Sequence, residues 1–370
     1  MTKPKSFPTR WKIALGVVVV FGVAGWLVAW PAYQQHRAVQ EIERVGGEIC
    51  TAGAFIAPET VRPQWLQKWG VAFDNLSYAN LEGTEITDDG LQYLSSLKSL
   101  STLHLGNTKI SDDGLKHFAG MTDLRTLRLN DTEISDGGLK HLSSLTNLKW
   151  LLLHRTQITG NGLKHLSDLT NLEGLSLDDT AITNNDLKHL SGLTKLRELY
   201  FSDSTGISND GLKHLSKLTN LELLSLAGTR ISDDGLKHLK GLTSLDTLYL
   251  SKTKVGDTGL QHLSGLTNLY RLRLSNMSIS DDGLKHLSTL TNLQWLSLDD
   301  TRISDDGLKH LSALMNLQVL SLAGTNVGDD GIKHLIGMTN LVELHLINTH
   351  VTDDDVKMLK KSLLNCRIDR

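Results

Sequence analysis

Leucines fall on a fixed beat along this chain. Residues 221–244 read LELLSLAGTRISDDGLKHLKGLTS, and the phrase recurs with small changes along most of the sequence. One apolar position of it is filled by Ile86, Ile110, Ile134, Ile158, Ile182, Ile207, Ile231, Val255, Ile279, Ile303, Val327 and Val351. The spacing is 24 residues throughout, apart from one step of 25 where Gly206 is inserted before Ile207. A period of this size predicts a solenoid rather than a set of independent domains.

Each unit divides into two local patterns. Leu224 and Leu226 alternate with Leu223, Ser225 and Ala227, the period of two expected of a short strand with one buried face. Ser232-Asp233-Asp234-Gly235 then reads as a helix start, with an N-capping serine and two carboxylates at the positive end of the helix dipole. Leu236, Leu239 and Leu242 follow at a spacing of three, the buried stripe of a short α- or 3₁₀-helical segment. No unit this short can bury its own leucines. Stacked units share one continuous core, so each repeat depends on its neighbours.

The phrase L-x-x-L-x-L-x-x-T-x-I, followed by S/T-D-D-G-L-K-H-L-x-x-L-T-N, resembles a leucine-rich repeat. The resemblance covers residues 76–364 in twelve consecutive copies. The I-S/T-D-D-G-L portion is similar to the cysteine-containing subclass found in F-box partner-recognition proteins and in bacterial membrane-anchored proteins. Thr84, Thr108, Thr132 and their equivalents stand where that subclass has cysteine, Met277 interrupts the column, and no F-box segment is present. The resemblance implies an α/β solenoid: a horseshoe with a concave parallel β-sheet and convex short helices. It also implies a non-enzymatic role in binding a protein or peptide, without ubiquitin-ligase adaptor function.

Ahead of the repeats the hydropathy changes. Lys3, Lys5, Arg10 and Lys12 precede Ile13–Trp30, which carries no charge. Counted from Trp11, twenty residues at ~1.5 Å each span ~30 Å, the hydrocarbon thickness of a bilayer. Trp11, Trp26 and Trp30 suit the two interfaces. A cleaved signal peptide has the same basic start, but this run exceeds an ordinary apolar core and no A-x-A site follows. The segment therefore reads as an uncleaved single-pass signal-anchor. The excess of basic residues before it predicts a cytoplasmic N-terminus and extracytoplasmic repeats.

These readings divide the chain into a cytoplasmic tail (1–10), a transmembrane anchor (11–30), a juxtamembrane helix with N-terminal cap (31–75), the repeats (76–364) and a C-terminal cap (365–370). In the cap, Ala32–Val45 predicts a polar helix ending at Gly46-Gly47, and Glu48–Ile56 an irregular first strand. Pro63 opens a short helix reaching Trp69. Phe55, Trp65, Trp69 and Phe73 are expected to cover the first exposed leucines. At the other end, Asp353–Leu364 predicts a last helix, and Asn365–Ile368 a strand fragment closing the sheet edge.

Composition removes several functions. The net charge of -3 over 370 residues gives no field for a polyanion, which excludes nucleic acid as the expected partner. Cys50 and Cys366 flank the array; twelve strands at ~4.8 Å separate them by at least ~50 Å, against the ~7 Å a disulfide tolerates. Histidine recurs in K-H or Q-H from His117 to His334, each on its own helix ~8–10 Å from the next, too sparse for a tight metal site. The acidic pairs read as helix-start charges, and the threonines as structural hydroxyls bonding neighbouring turns. There is no G-x-S-x-G, H-E-x-x-H, P-loop or Rossmann glycine run. No enzyme, metal or cofactor is expected.

The least repetitive positions are the outward columns of the strands. Tyr78, Thr102, Thr126, Trp150, Gly174, Glu198, Leu223, Thr247, Arg271, Trp295, Val319 and Glu343 form one column. Trp, Tyr and Arg anchor interfaces because they bury much area at little entropic cost. Two recognition clusters are expected on the concave face: Arg128, Trp150, Leu152 and His154, with Tyr200 further along, and Tyr249, Arg271, Arg273 and Trp295. Glu198, Asp178 and Asp203 are expected to form an acidic strip between them. Two other roles fit the same residues. One is a carbohydrate or cell-wall binder stacking sugars on Trp150 and Trp295; the other is a structural envelope spacer.

Overall fold

The computed structural model describes residue 30 and residues 33–51, 54–55 and 76–370. The tail, the anchor up to residue 29, the helix opened by Pro63, the side chain of Phe55, and Trp65, Trp69 and Phe73 lie outside the described residues. Among the described residues no helix is long and apolar enough to cross a membrane.

Among the described residues fifteen strands form one sheet. It starts with β1 (Glu48–Thr51), β2 (Ala54–Phe55) and β3 (Leu76–Asn80). One three-residue strand follows per repeat: β4 (Thr102–His104), β5 (Thr126–Arg128), β6 (Trp150–Leu152), β7 (Gly174–Ser176), β8 (Glu198–Tyr200) and β9 (Leu223–Ser225). Then come β10 (Thr247–Tyr249), β11 (Arg271–Arg273), β12 (Trp295–Ser297), β13 (Val319–Ser321), β14 (Glu343–His345) and β15 (Arg367–Asp369). From β3 to β15 the strands run parallel in chain order, while β1 pairs antiparallel with β3 and with β2. Most connections are about two short helical turns, such as α-helical Asp281–Leu284 followed by 3₁₀-helical Lys285–Leu287. The leucines of both patterns are fully buried and join one core from Ala38 to Cys366.

The first carboxylate of each acidic pair does more than favour a helix start. Asp112 accepts from the Ser135 amide at 2.7 Å and from its hydroxyl at 2.5 Å, across to the next repeat. Asp88 holds Ser111, Asp257 holds Ser280 and Asp281 holds Ser304 in the same two-fold way. Asn184 and Asn209 do so with the amide group, donating to the hydroxyls of Ser208 and Ser232. The helix-start charge expected from the sequence belongs to the second carboxylate, which is exposed and pairs with the lysine three residues on, as in Asp330–Lys333 at 2.6 Å. The two aspartates thus divide stacking and solvation between them.

The threonine column was expected to bond neighbouring turns, and it does something more local. Thr132 is buried and its hydroxyl donates to Leu129 O at 2.6 Å, within its own repeat; Thr156, Thr180, Thr229, Thr301 and Thr325 repeat the bond. The pattern crosses a junction at the inserted Gly206, where buried Ser204 donates to Leu177 O at 3.0 Å, and at Thr253, whose hydroxyl donates to Met277 Sδ of the next repeat at 3.9 Å. Just before the threonine, the backbone turns left-handed in every repeat. Asn107, Asp131, Arg155, Asp179, Asp203, Lys252, Asn276, Asp300 and Asn348 hold φ between 50° and 59°, and Gly83, Gly228 and Gly324 fill the same position. Asn, Asp and Gly tolerate that conformation best.

The described part of the N-terminal cap is built differently from the expected one. Residues 33–44 form a helix, α1, whose Ala38, Val39 and Ile42 are buried in the core together with Ile49 of β1. This helix is amphipathic rather than simply polar, and its apolar stripe seals the first repeat. Arg37 stacks on the Tyr93 ring at 4.8 Å and donates to its hydroxyl at 2.9 Å. At the far end Asp353–Ser362 forms the last helix, and β15 completes the sheet.

Candidate recognition face of the sheet

Strand alternation decides which side chains share a surface. The central leucine of each strand points into the core, so the first and third residues point outward together. Register then sets their neighbours: Arg271 lies beside Trp295, Tyr249 beside Arg273, and Arg273 beside Ser297.

The second predicted cluster is one packed group. The Arg273 guanidinium carbon lies 5.0 Å from the Tyr249 ring centroid and 4.8 Å from that of Trp295. Arg271 stacks on Trp295 at 5.5 Å, and its Nη1 is 3.5 Å from the Tyr249 hydroxyl. Arg128 and Arg197 have carboxylate partners, at 3.9 and 2.6 Å, whereas Arg271 and Arg273 have none among the described residues. The Arg271 Nε is buried without a hydrogen-bond partner. Ring quadrupoles hold these two cations where ion pairs hold Arg128 and Arg197.

A shallow pocket of about 480 Å³ adjoins this group, with Arg273 and Trp295 on one side and Glu343 and His345 on the other. Its floor is organised by Asp299. That carboxylate accepts from the Ser297 hydroxyl at 2.7 Å, the Ser275 hydroxyl at 3.3 Å, the Ala323 amide at 3.0 Å, and the Ser321 hydroxyl. His345 closes the pocket, its Nδ1 at 3.2 Å from Asp369 and its Nε2 at 3.6 Å from Glu343.

The first predicted cluster is not brought together. Trp150 leans over β7, where Gly174 has no side chain; a Cβ there would meet the indole Cε3 at 2.1 Å. Arg128 turns the other way, with Nη1 at 3.9 Å from Glu82. It faces His104, whose pKa is lowered first by burial and then by this guanidinium. His104 in turn meets the Tyr78 ring edge-on, with centroids 5.3 Å apart. Leu152 sits between Arg128 and Ser176 in the register, and His154 Nδ1 is 3.2 Å from the Ser176 hydroxyl. Tyr200, two strands beyond Leu152, donates to Glu198 at 2.7 Å. Burial and that carboxylate raise its pKa.

The expected acidic strip is broken up as well. Asp178 is taken by the Ser202 amide and the Ser176 hydroxyl, and Asp203 occupies the left-handed turn. Reading the sequence missed two features: the Tyr78–His104–Arg128–Glu82 group, and the serine-bound Asp299. The second had a visible signal. LSLDD occurs at 175–179 and 296–300, where the repeats at 224–228 and 320–324 have LSLAG.

On the helical side the histidines are half-buried rather than solvent-facing, His334 excepted. Burial, with Lys140 or Lys213 adjacent, lowers the pKa of His141 and His214. Among the described residues no three His, Cys, Asp or Glu side chains gather as a metal site. Cys50 and Cys366 are free, one at each end of the sheet.

Comparison with known proteins agrees with this architecture. Residues 98–158 match a family model described as leucine rich repeat, and residues 217–240 and 313–335 match a second model of the same description. The matches support a leucine-rich-repeat protein. Among solved structures the chain is similar to an internalin (inlF) from Listeria monocytogenes, at 25% identity and a TM-score of 0.62, covering 79% of this chain and 86% of that one. An internalin C2 (inlC2) from the same organism shares 27% identity over 64% of this chain and 84% of its own, with a TM-score of 0.41. No curated protein matches the chain. The leucine-rich-repeat solenoid is thus supported by sequence pattern, coordinates and structural likeness together.

Proposed function

We propose that this leucine-rich-repeat protein is a non-enzymatic recognition scaffold that binds a protein or peptide partner on the concave face of its sheet. One observation carries the reading: Tyr249, Arg271, Arg273 and Trp295 pack into a single outward group with no ion-pair partner among the described residues. Large side chains held rigid in solvent at such a surface are what an interface uses as anchors. The likeness to an internalin supports the solenoid scaffold on which this reading rests. Threonine takes the place of cysteine in a repeat akin to the cysteine-containing subclass, and its buried hydroxyl fits that position by bonding the strand-end carbonyl.

We further propose that residues 11–30 anchor the scaffold in a membrane, with the N-terminus cytoplasmic and the repeats outside. Helix α1 buries Ala38, Val39 and Ile42 against the repeats, so an anchor ending at residue 30 would hold the first repeat close to the bilayer. Carbonate extraction of the full chain tests this; release into the soluble fraction would defeat it.

A carbohydrate ligand is a second reading, favoured by Trp295 beside the hydroxyl- and carboxylate-lined pocket. Capture from a detergent-solubilised membrane fraction separates the readings. The full chain is compared with a variant carrying Trp150→Ala, Arg271→Ala and Trp295→Ala, both checked for folding by circular dichroism. A protein retained by the parent and lost by the variant is the expected result. Capture of a polysaccharide favours the second reading, and equal capture by both chains overturns the concave-face assignment. If neither captures anything, an envelope-spacer role replaces both.

A further inference from the structure

We propose that Arg271 and Arg273 form a carboxylate-reading site for an acidic, extended segment of the partner, with two acidic residues at positions i and i+2. The inference rests on the concave-face reading and adds to it the chemistry of what is bound.

The argument starts from charge. Two guanidiniums stand on the same side of β11, two residues apart, and like charges this close repel. The fold answers two other arginines with acids: Arg197 is bound by Glu222 through two hydrogen bonds, at 2.9 and 2.6 Å, and Arg155 by Asp131 at 3.0 Å. At β11 it supplies aromatic faces instead. Stacking uses the flat faces of a guanidinium and spares in-plane N–H donors for a carboxylate. Arg271 spends its Nη1 on the Tyr249 hydroxyl and buries its Nε, which leaves its Nη2 and the Arg273 fork without a hydrogen-bond partner among the described residues.

The acids nearby are already occupied. Asp299 is held by its serines and the Ala323 amide, and Glu343 and Asp369 flank His345. The positive charge of β11 is therefore not neutralised from within. Tyr249 and Trp295 also fix both arginine side chains before any ligand arrives, which removes much of the ordering cost of binding.

Spacing selects the ligand. Alternate residues of a strand are about 7 Å apart. Acidic residues at i and i+2 of an extended peptide repeat that distance, so one carboxylate can meet each arginine. Beyond Trp295, Val319 lines the adjoining pocket and offers an apolar contact to a flanking side chain.

The test follows the arginine Nε–Hε resonances of the full chain in detergent by NMR. The probe is a seven-residue peptide with glutamates at its third and fifth positions, and the control is its glutamine counterpart. Arg271→Lys and Arg273→Lys variants assign the two signals. The expected result is that the glutamate peptide shifts both signals with one affinity, that the glutamine peptide shifts neither, and that either lysine variant weakens binding about tenfold. Equal shifts with both peptides, no shift with either, or shifts confined to other arginines would overturn the proposal. So would a sulfated oligosaccharide shifting both signals where the glutamate peptide does not. The underlying face assignment fails separately: it falls only if the partner is captured equally by the triple variant. A partner still captured by the two lysine variants but lost on Trp295→Ala would leave the face in place and remove the carboxylate site.

Discussion

Gly160 and Asp186 have exchanged roles across one junction of the solenoid. At most other junctions an aspartate or asparagine of one repeat faces a glycine of the next, as Asp136 faces Gly162, where an added Cβ would meet the carboxylate oxygen at 2.5 Å. Here the glycine comes first. The Asp186 carboxyl carbon lies 1.8 Å from where a Gly160 Cβ would be, and this carboxylate accepts from the Thr183 amide at 2.8 Å and hydroxyl at 2.7 Å. The acceptor stays in place although its backbone origin has moved to the other repeat.

The exchange predicts a thermodynamic coupling. Gly160→Asp alone overfills the junction and should cost about 1–3 kcal/mol. Asp186→Gly alone removes two hydrogen bonds at an exposed helix start and should cost about 0.5–1.5 kcal/mol. The double variant rebuilds the ordinary junction, so the two losses should largely cancel. Urea unfolding of the four proteins measures this; simple additivity would show that the pair is not coupled.

Gly174 holds the position of Trp150. Any side chain at 174 must displace the indole, so Gly174→Val should move Trp150 and lower stability by about 1–3 kcal/mol. The indole N–H resonance of Trp150, assigned with Trp150→Phe, reports the displacement directly. An unchanged resonance would mean that the ring does not rest on β7.

Lys252 sits in the left-handed turn at φ 59°, where Gly228 and Gly324 serve other repeats. A lysine there bears a steric cost of about 1–2 kcal/mol that glycine escapes. Part of it returns as entropy lost by a glycine, so Lys252→Gly should stabilise the chain by up to about 1 kcal/mol. A lower midpoint in urea would contradict this.

Cys366 makes stability depend on alkaline pH. Burial pushes its thiol from 9.0 up to about 11. The folded state therefore keeps a proton that the unfolded chain releases first. Its contribution is complete below pH 9 and is lost as pH rises toward 11. Cys366→Ala should flatten the fall in stability across that window. In a Cys50→Ser background the remaining thiol should react slowly with an aromatic disulfide reagent at pH 8 until urea unfolds the chain.

Much of the fold could be read directly from the chain. A period of 24 with leucines at two- and three-residue spacings leaves only one way to bury them, by stacking, and the short strands and α/3₁₀ turns follow from the same leucines. Identity of the outward residues was equally legible, because alternation alone puts Arg271 and Arg273 on one side. What they touch was not. Register and side-chain reach between repeats decided that Arg273 lies between two rings, that Arg128 turns to His104 and Glu82, and that Trp150 covers Gly174.

The same division holds for the acidic pairs. Sequence identified Asp281-Asp282 as charges at a helix start, and Asp282 does take that role beside Lys285. That Asp281 instead binds Ser304 depends on how closely the next repeat stacks, a distance no single repeat contains. Local pattern determined the elements and the faces of this protein, because both depend on spacing along the chain. Contacts between repeats decided which residues work together, because those distances exist only once the solenoid has closed its core.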